Sequence, residues 1–157
     1  MRRRTAISLV AVLGLSACAH AIDNVEAPPP VAMAWGLNHV EGEGAKLAYG
    51  APGSDNLILM MTCQPRSDEV AVTLVGFEAD AHPKVTLGSG RISTRIQAER
   101  TPGMGGYDVS ANTRATNTAL RRFAETGELI VGVGARKVAL PPAELSVSGG
   151  FVRSCGA

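Results

Sequence analysis

Side chains able to do catalytic or metal-binding chemistry are few: three His and three Cys in 157 residues, beside scattered carboxylates. Ser54 and Asp55, with His39 or His82, supply the residue types of a nucleophile, its base and the group that orients the base. No Gly-x-Ser-x-Gly elbow surrounds Ser54. Gly50-Ala51-Pro52-Gly53-Ser54-Asp55 instead has the composition of a turn, which Ser and Asp favour because their side chains bond nearby backbone. Glu78, Asp80 and His82 alternate, which on a strand would project three oxygen or nitrogen ligands from one face. Asp80 and Pro83 disfavour a strand interior, so this stretch reads as a solvated loop with no metal or cofactor. Gly132-Val133-Gly134-Ala135-Arg136-Lys137 lacks the spacing of a phosphate loop and is followed by strand-like residues, so it reads as a hairpin turn. Gly88-Ser89-Gly90 reads as a strand junction, and Arg121-Arg122 as the solvated side of an amphipathic helix.

The most specific chemistry lies at the N-terminal end. Arg2-Arg3-Arg4 precede an apolar run from Ala6 to Leu15, the order of a secretory signal peptide. As a helix that run would be about 15 Å long, too short to cross a hydrocarbon core of about 30 Å. Its ending, Leu15-Ser16-Ala17-Cys18, resembles a bacterial lipobox, in which small residues admit the signal peptidase and the cysteine sulfur takes a diacylglycerol. That resemblance implies cleavage before Cys18 and a lipid on its sulfur. Ala19 and His20, with no Asp after the cysteine, slightly favour the outer membrane over the inner.

Loss of residues 1–17 leaves enough chain for one domain with a core and too little for two. The 15 Lys+Arg and 14 Asp+Glu nearly balance, and removing Arg2, Arg3 and Arg4 turns the balance slightly negative. There is no basic excess to neutralise a phosphate backbone, which argues against nucleic-acid binding. With Cys18 acylated, Cys63 and Cys155 remain, and an even pair in an oxidising compartment is expected to form one disulfide. The alternative is two separate buried thiols.

The elements that would carry these residues are mostly strands. Residues 18–32, ending in Pro28-Pro29-Pro30, read as a lipid-anchored tether that reaches about 40 Å if extended. A single β-rich domain is expected over 33–157. It starts with the alternating Met33 to Leu37, whose Trp35 should pack near the domain entrance, and continues with Ala45 to Tyr49. Asn56 to Cys63, the most continuously apolar run, reads as a central strand buried on both faces. Glu69 to Phe77, Lys84 to Gly88, Arg91 to Ala98 and Tyr107 to Ala111 follow, with Thr101 to Gly106 as a long loop. Ala119, Leu120, Phe123 and Ala124 share one face of a helix over Thr116 to Thr126, capped by Thr116 or Asn117 and stopped by Gly127. Strands over Glu128 to Val133 and Lys137 to Leu140 precede a C-terminal segment that reads as strand or helix. A helix is favoured, with Phe151 and Cys155 on one face and pinned to the Cys63 strand. The fold class is mainly β with minor α: an antiparallel sandwich or partly open barrel of about 7–9 strands, short runs between turn residues giving the pattern.

Trp35, Leu47-Ala48-Tyr49-Gly50, Cys63, the Ala119 to Gly127 helix and the terminal Phe151 to Cys155 together resemble a family of uncharacterised alphaproteobacterial envelope lipoproteins. The resemblance implies a lipid-anchored protein of the cell envelope facing the periplasm. Its partners would be the membrane, through the N-terminal lipid, and an envelope protein or cell-wall component. The expected role is non-enzymatic binding or envelope structure. Two other classes compete: a small periplasmic hydrolase or metal-dependent enzyme using Asp55, His39 and His82, and a lysozyme-type inhibitor. The plan of the domain is similar to such inhibitors, and Ser89-Gly90-Arg91 resembles part of their Ser-Gly loop.

Overall fold

Alternating apolar residues in most of the strands favour sheets with one dry face, and two antiparallel sheets result. In the computed structural model, residues 32–42, 44–65 and 67–156 are described. The lipobox cysteine Cys18, the signal peptide and nearly all of the tether lie outside them. The larger sheet contains β1 (Ala34–Val40), β2 (Gly44–Gly50), β3 (Leu57–Cys63), β4 (Glu69–Phe77), β7 (Glu99–Gly103) and β8 (Gly106–Arg114). Its order is β1-β2-β3-β4-β8-β7. The smaller sheet contains β5 (Lys84–Ser89), β6 (Ile92–Gln97), β9 (Leu129–Val133) and β10 (Arg136–Leu140), in the order β10-β9-β5-β6. The two sheets do not close into a barrel, and the arrangement is consistent with a sandwich.

Helices complete the dry side. α2 (Leu145–Gly156) lies across β1, β2 and β4, while α1 (Thr118–Thr126) packs on α2 and on β5 and β6. Between these layers Leu47, Leu59, Met61, Val72, Leu74 and Val109 meet Val85, Leu87 and Val131, with Leu120, Phe123 and Phe151 from the helices, all fully buried. Burial of each such side chain contributes about 1.5–3 kcal/mol.

Local chemistry explains the helix ends. The Asn117 side chain accepts from the Ala119 amide at 2.9 Å, so Asn117 rather than Thr116 is the cap. It also donates to Thr113 on β8 at 3.0 Å and accepts from the Thr94 hydroxyl on β6 at 3.3 Å, tying the helix start to both sheets. Gly127 ends α1 at φ 72°, with its amide on the Phe123 carbonyl, as the sequence indicates. The ambiguous C-terminal segment is helix, with Phe151 and Cys155 fully buried on one face. Gly149 and Gly150 weaken that helix intrinsically, by about 1 kcal/mol each relative to Ala. They allow close approach instead: a Cβ on Gly150 would stand 3.2 Å from the Leu37 side chain, and one on Gly149 3.4 Å from the Ala124 carbonyl.

Three expectations are corrected. There are ten strands among the described residues, because the expected loop at Thr101 to Gly106 is mostly β7 and the turn into β8, with Pro102 opposite Tyr107. Proline is tolerated there because β7 is an edge strand, where a missing N–H breaks no inner ladder. The third correction concerns β3, which is central but deeply buried on one face only: Leu59, Met61 and Cys63 point inward while Ile58, Met60 and Thr62 are half-buried. The helices and the smaller sheet cover only the inner face of the larger one.

Candidate functional site

Of the residue sets singled out in the sequence, the cysteines are the one brought into bonding contact. Cys63 ends β3 and Cys155 lies in the last turn of α2; their sulfurs are bonded and their Cα atoms are 5.5 Å apart. The bridge spans 92 positions of chain and fastens the terminal helix to the middle of the larger sheet. A second fastening lies beside it. The Asp68 amide donates to the Cys155 carbonyl at 3.1 Å, and its own carbonyl accepts from Ala115 at 3.0 Å. Its carboxylate accepts from the Thr116 amide at 3.2 Å. Asp68 reaches all three groups from a left-handed backbone conformation, φ 53°, which Asp tolerates better than most residues.

The hydrolase residues do not meet. His39 lies opposite Ala45, whereas Ser54 and Asp55 occupy the turn beyond the other end of β2. Five strand positions separate those ends, about 17 Å at the rise of a β-strand. Ser54 is committed to its turn, donating to the Ala51 carbonyl at 3.0 Å and accepting from the Asn56 amide at 3.2 Å. His39 opens instead onto a hollow shared with Glu41, Pro65 and Ser154. His82 is on the β4–β5 connection and lines a different cleft.

That second cleft has a volume of about 690 Å³. Glu78, Asp80 and His82 line it from the β4–β5 connection, while Lys84, Arg95 and Arg136 line it from the smaller sheet. The strand β4 ends at Phe77, so the alternation of Glu78, Asp80 and His82 falls on a loop, and the described residues contain no group of His, Cys, Asp and Glu arranged to hold a metal. Arg136 is held at the rim, its guanidinium stacked 4.6 Å from the Phe77 ring and donating to the Gly76 carbonyl at 3.2 Å. Arg100 braces the same connection from β7, donating to the Ala79 carbonyl and stacking on Tyr107.

The smaller sheet, whose Lys84, Thr86 and Arg95 line one side of the cleft, reveals a pattern that linear reading missed. The registers of β10, β9, β5 and β6 place Lys137, Gly132, Thr86 and Arg95 in one cross-strand row. The adjacent row, Val138, Val131, Leu87 and Thr94, includes the fully buried Val131 and Leu87, so the first row faces outward. Lys84 lies two residues from Thr86 and shares its outward face. Lys84, Arg95 and Lys137 are exposed, and none makes an ion pair or hydrogen bond among the described residues. Parity within the strand runs was the available signal, but only pairing partners reveal the row.

Other motifs have structural roles. Gly132 to Lys137 is the expected β9–β10 hairpin, turning at Gly134 with φ 58°. Ser89 is fully buried, its hydroxyl 3.2 Å from that of Thr126, so it does not project from the β5–β6 turn. Arg122 pairs with Glu125 at 3.1 Å on the exposed side of α1, an arrangement that contributes little in water. Asp108 holds its Oδ1 buried without a hydrogen-bond partner among the described residues, in space left by Gly103, where a Cβ would come within 2.6 Å. Comparison with family models, curated proteins and solved structures finds no match for this chain.

Proposed function

We propose that this chain is a lipid-anchored protein of the bacterial cell envelope, facing the periplasm, whose disulfide-closed β domain acts by binding rather than by catalysis. The observation that carries this reading is the pairing of Cys63 with Cys155. Three cysteines are present, and the bridge uses two, leaving Cys18 as the odd sulfur at the position where the Leu15-Ser16-Ala17-Cys18 motif calls for lipid. A bridge between distant elements also suits an oxidising compartment. The partner in this reading is an envelope protein or a cell-wall component, and the rigid surface is offered by the sheets. The separation of His39 from Ser54 and Asp55 along β2 gives no support to the hydrolase alternative.

The reading is tested in the bacterium by labelling with a radioactive fatty acid and by crosslinking in intact cells. Label on the wild-type chain and none on Cys18→Ser supports the anchor. Equal labelling of both chains, or none on either, refutes it. Recovery of one envelope component crosslinked to the folded domain, and lost on unfolding, supports binding.

A further inference from the structure

Charge is unevenly divided between the two sheets. The strands of the smaller sheet and the two hairpin turns within it, residues 84–97 and 129–140, contain Lys84, Arg91, Arg95, Arg136 and Lys137 and no Asp or Glu, with the exposed Glu128 directly before β9. The strands of the larger sheet carry Glu69, Glu99 and Asp108 against Lys46, Arg100 and Arg114, with Glu41, Asp55 and Asp68 in its turns. Register places Lys84, Arg95 and Lys137 on the outward face of the smaller sheet, exposed and unpaired among the described residues. Gly132 and Thr86 in the same row are buried, so the exposed residues of the row are its cations. Glu78 and Asp80 are the acidic residues on the adjoining cleft, and they stand at its loop side.

We infer that the outer face of the smaller sheet docks on an anionic lipid bilayer, with Lys84, Arg95 and Lys137 against the headgroup phosphates. The complementarity is of charge: exposed cations on one sheet face, each worth about fivefold in partitioning to an anionic surface, against a surface of anions. Such a contact adds orientation to whatever anchor holds the chain. In a sandwich the outer faces of the two sheets point in opposite directions. Docking by the smaller sheet therefore turns the uncharged outward residues Ile58, Met60 and Thr62 of the larger sheet away from the membrane, where a soluble partner can reach them. The inference deepens the binding role proposed above and is independent of lipid on Cys18.

The test reconstitutes the full chain with bilayer vesicles carrying a paramagnetic headgroup label, made either of phosphatidylcholine alone or with phosphatidylglycerol, and reads amide signals by nuclear magnetic resonance. Expected is selective broadening of β6 and β10 amides on the anionic vesicles, with β3 amides unaffected. Removing one cation, as Lys84→Gln, Arg95→Gln or Lys137→Gln, should lower the docked-to-free ratio about fivefold, and raising salt should lower it further. Equal broadening on both vesicle types, broadening centred on β3, or no response to the three substitutions overturns the proposal. Binding of inorganic phosphate without vesicle docking also overturns it. Flotation with neutral vesicles reports the anchor separately, so failure of one reading is not mistaken for failure of the other. Each single variant is checked for an unchanged amide spectrum in the absence of vesicles.

Discussion

The Asp68 amide donates to the carbonyl oxygen of Cys155 at 3.1 Å, beside the bond that joins Cys155 to Cys63. Two independent links thus hold the end of α2 to the β3–β4 region, one covalent and one through the backbone. The terminal helix, whose Ser and Gly content makes it a poor helix in isolation, is defined by these attachments and by the burial of Phe151.

Removing the bridge should therefore loosen the whole domain. In the chain-entropy model a loop of this span contributes about 4–5 kcal/mol, an upper figure for real proteins. Urea unfolding of Cys63→Ser/Cys155→Ser is expected to show a loss of about 3–4 kcal/mol. An unchanged midpoint would mean that packing alone holds α2.

The Asp68 side chain braces the same region apart from the backbone link to Cys155, which substitution by Ala or Asn leaves in place. Asp68→Ala loses the acceptor for Thr116 and places an alanine at φ 53°, for a loss of about 1–2 kcal/mol in thermal or urea unfolding. Asp68→Asn keeps both an acceptor and tolerance of that backbone region, so its loss should be less than half as large.

Gly127 is irreplaceable on two counts. Its φ is 72°, and a Cβ there would fall 2.1 Å from the Ala143 carbonyl oxygen, whose own amide bonds to the Gly127 carbonyl at 2.9 Å. Gly127→Ala is expected to lose about 3 kcal/mol by differential scanning calorimetry, compared with a few tenths at an exposed turn such as Gly53 replaced by Asn.

Trp35 gives an optical probe of the entrance to the core. Its ring lies 5.1 Å from Tyr49 and 5.5 Å from Phe123, and its Nε1–H donates to the Pro141 carbonyl at 2.7 Å. Because it is the chain's one tryptophan, its emission should shift to the red on unfolding in a single transition coincident with circular dichroism. Trp35→Phe keeps most of the packing and should lose about 1 kcal/mol for the hydrogen bond.

Strand alternation made most of the fold legible in the sequence: Ala45 to Tyr49 and Glu69 to Phe77 needed only their period, and Asn117 and Gly127 bracketed α1 by their chemistry. Pro102 concealed β7, because proline signals a break until the strand is known to lie at an edge. The apolar outward residues Ile58 and Met60 made β3 look buried on both faces, whereas flanking strands cover them only in part. Site residues were legible where chemistry is pairwise and obligatory, as for Cys63 and Cys155. The row of Lys84, Arg95 and Lys137 was not legible, since three cations distant in sequence become neighbours only through the registers of four strands.

Intact and peptide mass spectrometry of the protein extracted from its own membranes, without reductant, tests the assignment of the three sulfurs most directly. Expected is an N-terminal Cys18 bearing diacylglycerol together with a Cys63–Cys155 linked peptide. A free Cys18 thiol, or a disulfide in which Cys18 takes part, contradicts it.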